Sequence, residues 1–227
     1  TTGAGAVSIT AGDNAGSADD DLAINASIGA TTGNVTLTSS NNDVTFSADG
    51  DVTTTSGEIE VNATATGGLI TQSDGSVLNA GDDIIDLNAN GDITVAGLLT
   101  TNATGTAVDI ASAAGAVIDG GDTNVDIVAA SGELTITAAT GIGAGNALET
   151  TVTNVDATST AGNIELSETD ALSVNGLNAT NGNIVLTAGG ATEIINGGVG
   201  VVAGTAGNSI SIDVNGDASL TVNDGIT

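Results

Sequence analysis

The feature that most constrains this chain is a short unit that recurs along it. The unit is Gly, then Asn, Asp or Glu, then an aliphatic residue, any residue, and a second aliphatic. Clear copies are Gly33-Asn34-Val35-Thr36-Leu37, Gly57-Glu58-Ile59-Glu60-Val61, Gly132-Glu133-Leu134-Thr135-Ile136, Gly162-Asn163-Ile164-Glu165-Leu166 and Gly182-Asn183-Ile184-Val185-Leu186. Copies without the Gly in register carry Ile85/Leu87, Val108/Ile110 and Ile210/Ile212. The first aliphatics, Val35, Ile59, Ile85, Val108, Leu134, Ile164, Ile184 and Ile210, advance by about 25 residues a step. The second aliphatics are Leu37, Val61, Leu87, Ile110, Ile136, Leu166, Leu186 and Ile212, and the residue between is mostly polar. That alternation is the mark of a strand with one buried face.

Two more aliphatic series keep the same step. One runs Val44, Leu69, Ile93, Val117, Ile142, Leu172, Ile194, Leu220, and the other Val52, Val77, Leu98, Val125, Val152, Leu177, Val201. Val7/Ile9, Leu22/Ile24 and Ile28 supply a preceding coil. Three short strands per coil of about 25 residues, separated by Gly, Asn, Asp and Ser turns, predict an all-β chain. The expected fold is a right-handed parallel β-helix (β-solenoid) of roughly nine coils, with residues 1–227 forming one segment of a longer fibre or filament. Each aliphatic column is expected to run unbroken from coil to coil.

Composition agrees with a narrow interior. The core residues are Val, Ile, Leu and Ala, and Phe46 is the only aromatic residue. Pro, which would remove a ladder donor from an inner strand, is absent. The abundance of Val, Ile and Thr and a mean hydropathy of +0.28 argue against a disordered chain.

The missing residues exclude several chemistries. The chain has 28 Asp and Glu and no Lys, Arg or His, a formal net charge of −28. Nothing in it can neutralise phosphates, so neither nucleic acid nor an anionic membrane surface is an expected partner. Without His or Cys there is no Ser–His or Cys–His pair and no conventional zinc site. No apolar run approaches the roughly 18 residues of a membrane span. The chain begins at Thr1, as a processed product or an excerpt would.

The run Gly141-Ile142-Gly143-Ala144-Gly145-Asn146-Ala147-Leu148-Glu149-Thr150 resembles the repeats of giant bacterial filamentous-haemagglutinin-like exoproteins. So does Ala161-Gly162-Asn163-Ile164-Glu165-Leu166 with the following Ala171-Leu172-Ser173-Val174. The resemblance implies a β-helix on the bacterial cell surface or outside the cell, in a fibre, an adhesin or a secreted passenger domain.

Three candidate sites stand out. The loop Asp13-Asn14-Ala15-Gly16-Ser17-Ala18-Asp19-Asp20-Asp21 gathers carboxylates (Asp13, Asp19, Asp20, Asp21) of the kind that ligate Ca²⁺. Glu60, Asp86 and Asp109 are expected to stack on successive coils about 4.8 Å apart. Their repulsion is relieved by Ca²⁺, by raised pKa values, or by splaying into water. Thr36/Thr38, Thr53/Thr55, Thr135/Thr137 and Thr151/Thr153 suggest a flat Thr array, but the alternation of Thr with Glu, Asp, Val and Ser argues for ordinary exposed strand residues.

Asp82-Asp83 or Asp19-Asp20-Asp21 could be proposed as hydrolase carboxylates. Sugar clefts, however, usually offer aromatic platforms and basic anchors that this chain lacks. The expectation is therefore no enzyme, and calcium as the one possible cofactor. A structural rod that stacks end to end, or continues into further coils, comes first. Binding of a glycan or surface receptor through the Ala11–Asp21 loop and the stretch between Val152 and Ile164 is the alternative.

Overall fold

A computed structural model describes residues 4–12, 20–121, 124–195 and 198–227. Among them there is no helix, and the strands pair in parallel to form a β-solenoid of about nine turns with about 24 residues per turn. The first four coils repeat one order of five-, three- and two-residue strands. They are β1 (Val7–Ala11), β2 (Leu22–Ile24) and β3 (Ile28–Gly29), then β4 (Val35–Ser39), β5 (Val44–Phe46) and β6 (Val52–Thr53). Next come β7 (Ile59–Ala63), β8 (Ile70–Gln72) and β9 (Leu78–Asn79), and then β10 (Ile85–Ala89), β11 (Ile93–Val95) and β12 (Leu98–Leu99).

The five-residue strands β4, β7 and β10 alternate buried and half-buried positions, because successive side chains point to opposite faces of the ladder. Val35, Ile59, Ile85 and Val108 stack directly, as do Leu37, Val61, Leu87 and Ile110, and all are fully buried. Each such side chain contributes about 1.5–3 kcal/mol by leaving water. The strand ends on a small-residue column: Ala11, Ser39, Ala63, Ala89, Ser112, Ala138, Ser159, Ala179 and Ala203 follow one another up the rod. The chain turns sharply there, so nothing larger fits, and the Ser hydroxyls bond turn backbone. Ser39 Oγ donates to the Asp20 carbonyl (2.8 Å) and Ser112 Oγ to that of Gly91 (2.7 Å).

Before the junction the other two series differ from the sequence expectation at three places, by one residue at Leu69 and Val77 and by two at Val125. Ile70, Leu78 and Ile127 occupy the buried columns where Leu69, Val77 and Val125 were expected. The cause is a corner position just before each strand, whose backbone N–H is received by a side chain of the preceding coil. Leu69 N–H donates to Asp43 Oδ1 (2.8 Å), Val77 N–H to Asp51 Oδ1 (2.9 Å) and Ala116 N–H to Asp92 Oδ1 (2.8 Å). Leu69 and Val77 therefore stand where Asp43 and Asp51 stand one coil earlier. Val77 and Val125 are left 38% and 37% exposed.

A larger departure lies in the middle of the rod. After β13 (Thr106–Ser112) and β14 (Val117–Asp119) come two strands of 12 residues, β15 (Ile127–Ala138) and β16 (Leu148–Ser159), each running across two faces. Leu134 and Ile136 stack on Val108 and Ile110, but the next residues in that column are Val155 and Ala157, not Ile164 and Leu166. Ile164 instead bridges Ile142, which bridges Val117. Hence Ile164, Ile184 and Ile210 continue the column of Val44, Ile70, Ile93 and Val117, and the single column expected from Val35 to Ile210 is two.

Beyond this junction the order of strand lengths resumes, rotated by one face. The five-residue strands are now β17 (Ile164–Glu168), β19 (Ile184–Ala188) and β22 (Ile210–Val214). The three-residue strands β20 (Thr192–Ile194) and β23 (Leu220–Val222) stack on the start of β18 (Leu172–Ala179), and β21 (Gly200–Ala203) stacks on its end. The physical reason is that the columns carried across the junction are slots for interchangeable Val, Ile, Leu and Ala side chains. A shortened coil can therefore hand a motif to the neighbouring face without leaving a cavity.

Candidate functional site

The stacked acids of the first face come together as the repeat predicts. Thr36, Glu60, Asp86, Asp109, Thr135 and Asp156 form one outward column. Neighbouring donors meet part of the charge: Thr36 Oγ1 donates to Glu60 Oε2 (3.3 Å) and Asn88 Nδ2 to Asp86 Oδ1 (2.8 Å). The rest appears as raised pKa values. Burial and then the Asp109 charge push up the Asp86 carboxyl, and burial pushes up Asp109 and Asp156. Glu58, two residues before the column position Glu60, is raised by burial and then by Glu60, Asp86 and Asp83. Protonation is thus one relief this ladder possesses.

The ladder does not gather three carboxylates into a common cluster. Among the described residues, the three acids whose ligand oxygens all lie within 4.8 Å of one another are Asp119, Asp126 and Glu149, with Asp119 and Asp126 buried. Asp119 closes β14, Asp126 occupies the corner position before β15, and Glu149, the second residue of β16, stands over Asp126 in the next coil. Asp119 Oδ1 accepts from Gly121 N–H (2.8 Å), and Asp119 Oδ2 accepts from the Asn146 side chain. Asp126 Oδ2 accepts from Glu149 N–H (3.0 Å), the same inter-coil bond that Asp43, Asp51 and Asp92 make. Three carboxylates offer hard oxygen ligands, but Ca²⁺ takes six to eight, so carbonyls and water would have to supply the remainder. Sequence reading missed this cluster because its members lie in different coils and no local spacing links them. The only signal was the corner position of Asp126.

Of the loop acids, Asp13 and Asp19 lie outside the described residues. Asp20 Oδ2 accepts from Asn41 Nδ2 (2.9 Å), and Asp21 Oδ1 accepts from Asp43 N–H (3.3 Å). These are structural bonds of the corner type. Asp83 Oδ1 likewise accepts from Ile84 N–H (2.9 Å), at a turn. The Thr pairs form no continuous array: the outward column beside the acids runs Thr38, Asn62, Asn88, Ala111, Thr137 and Thr158.

Two shallow grooves lie on the rod. One, of about 300 Å³, is lined by Val77, Leu98, Leu99, Val125 and Val128 with Asp74 among the flanking residues. The other, of about 290 Å³, is lined by Thr153, Ser173, Thr192, Glu193, Ser219 and Thr221. The fold and these surfaces define a β-solenoid repeat protein. Comparison with known protein families, curated proteins and solved structures returns no match.

Proposed function

We propose that this chain is a stiff segment of an extracellular or bacterial cell-surface fibre, of the filamentous-haemagglutinin-like kind its repeats resemble, and that it carries no catalysis. The observation behind the reading is that one aliphatic core runs through every turn and survives the rotation of the repeat. A molecule organised this way is rigid along its axis and can be lengthened coil by coil. Further coils, of this chain or of a second copy, would cover the partly exposed Ile210, Ile212, Leu220 and Val222 at one end and Val7 and Ile9 at the other. The uniform negative charge opposes sideways association of such rods.

Electron microscopy of a head-to-tail fusion of two copies tests this directly. One copy should measure roughly 40 Å and the fusion about 80 Å as a single straight rod, at about 4.8 Å per coil. A fusion seen as two jointed or collapsed particles would overturn the role as an extensible rod.

A further inference from the structure

The junction between the two repeat phases contains a break in the ladder. β16 pairs with β17 only through Leu148, Glu149 and Thr150, and with β18 only from Asn154 onward. Residues 151–153 of β16 therefore face the next coil with no strand opposite them. The gap at Val152 is closed by the side chain of Glu168, which ends β17 and is only 3% exposed. Val152 N–H donates to its Oε2 (3.1 Å) and Oε1 (3.3 Å), Thr150 Oγ1 to Oε2 (2.8 Å) and Asp170 N–H to Oε1 (3.3 Å).

We propose that Glu168 is a pH-dependent lock on this junction. As a neutral acid it bridges the gap and holds the two halves of the rod in fixed phase, and on losing its proton it loosens the joint. The chemistry of the surroundings points that way. Burial removes the carboxylate from water, and no Lys, Arg or His exists anywhere in the chain to compensate it. The charged group that acts on it is Asp170, another anion. On β16, Glu149, Thr151 and Asn154 are partly exposed while Thr150 and Val152 are buried toward Glu168. β18 carries no acid, and β19 places Ala188 beside Glu168.

Thr150 is the right neighbour for a neutral acid, since its hydroxyl can turn from donor to acceptor and receive a hydrogen bond from the carboxyl O–H. Burial, opposed by the bonds from Thr150, Asp170 and Val152 and reinforced by the Asp170 charge, raises the carboxyl to about 7. A raised folded-state pKa stabilises the native form fully below the ordinary Glu value. That stabilisation is lost as pH climbs through about 7.

The test compares hydrogen exchange at the Val152 amide, corrected for its intrinsic base-catalysed rate, in the wild type, Glu168→Gln and the outward-facing control Glu165→Gln. Between pH 5 and 8 the wild type and the control should show local opening that grows by up to about a hundredfold, and Glu168→Gln should stay flat. Equal pH dependence in Glu168→Gln and the wild type would overturn the lock. Infrared spectroscopy of the wild type keeps the question open to test should the variant not fold. A buried carboxylic C=O band that persists above pH 6 supports the proposal, and its loss by pH 5 removes it.

Discussion

The coils from Val35 to Ala129 and those from Ile164 to Val222 are built from the same repeat, yet they place it differently. Before the junction, the five-residue strand always lies on the face of Val35 and Leu37. After it, the five-residue strand lies on the faces of Ile142 and Leu148, while β18 and the four-residue β21 continue the first face. The core and the small-residue corner continue through both. The lesson is that this fold is specified by columns, not by whole motifs: aliphatic in the strands, Ala or Ser at the sharp corner, and an acceptor just before a strand. Any coil that satisfies the columns is admitted, in whichever phase its turns deliver it.

The most severe way to challenge that equivalence is to open the core on each side of the junction. Leu87→Ala and Leu186→Ala both remove a fully buried side chain and should each lower stability by about 2–5 kcal/mol, read from chemical denaturation. A single transition of equal slope for both would show one cooperative body. Two transitions for Leu186→Ala alone would show that the junction divides the rod into separate folding units.

Glycine at the corner comes next. A Cβ on Gly162 would fall 1.8 Å from the Thr140 carbonyl oxygen of the preceding coil, whereas a Cβ on Gly105 would meet nothing within 4 Å. Gly162→Ala should therefore lower stability by about 3 kcal/mol, because backbone cannot move aside as a side chain can. Gly105→Ala, at φ of +95°, should cost about 1 kcal/mol through backbone strain alone. Thermal melts of the two variants rank them.

The corner acceptors should matter less, and similarly on both sides. Asp43→Ala strips the acceptor from Leu69 N–H, and Asn183→Ala strips it from Ser209 N–H (2.8 Å). Each should lose about 1 kcal/mol, with the exposed Asn183 corner at the lower end. Asp43→Asn keeps the acceptor and should be close to neutral, which separates the hydrogen bond from the charge.

The smallest effect concerns pH. Glu58, Asp86 and Asp109 before the junction, and Asp156 within it, all have carboxyls raised above their ordinary range. Their protonated forms favour the folded chain, so stability should rise as pH falls into the raised carboxyl range, the reverse of the usual acid lability of carboxylates held by cations. Asp86→Asn should raise the melting temperature at pH 7 by a few degrees at most and flatten part of that slope. An unchanged melting temperature would mean that the ladder splays enough to be screened by water.

Much of this was legible in the residues. Alternation in Val35-Thr36-Leu37 and its copies, with a step of about 25 residues, implies stacked parallel coils, because only stacking buries a strand that short. The pairing of Glu60, Asp86 and Asp109 followed from the same count. The slips of one residue at Leu69 and Val77 and of two at Val125 were not legible. Two nearby aliphatics read alike in sequence, and the hydrogen bond to the preceding coil decides which one turns inward. Nor was the Asp119, Asp126 and Glu149 cluster, assembled from residues that only coil-to-coil register brings together.

By itself the sequence determined the period, the strand class and a chemistry without cations, since these depend on residue type and local spacing. Only the tertiary structure decided which face each motif occupies, that the repeat rotates at β15 and β16, and that Glu168 closes the resulting gap. Those outcomes depend on the length of each coil relative to the one beneath it. That relation is satisfied in space between residues far apart in sequence, such as Glu168 and Val152, 16 positions away, and no local pattern records it.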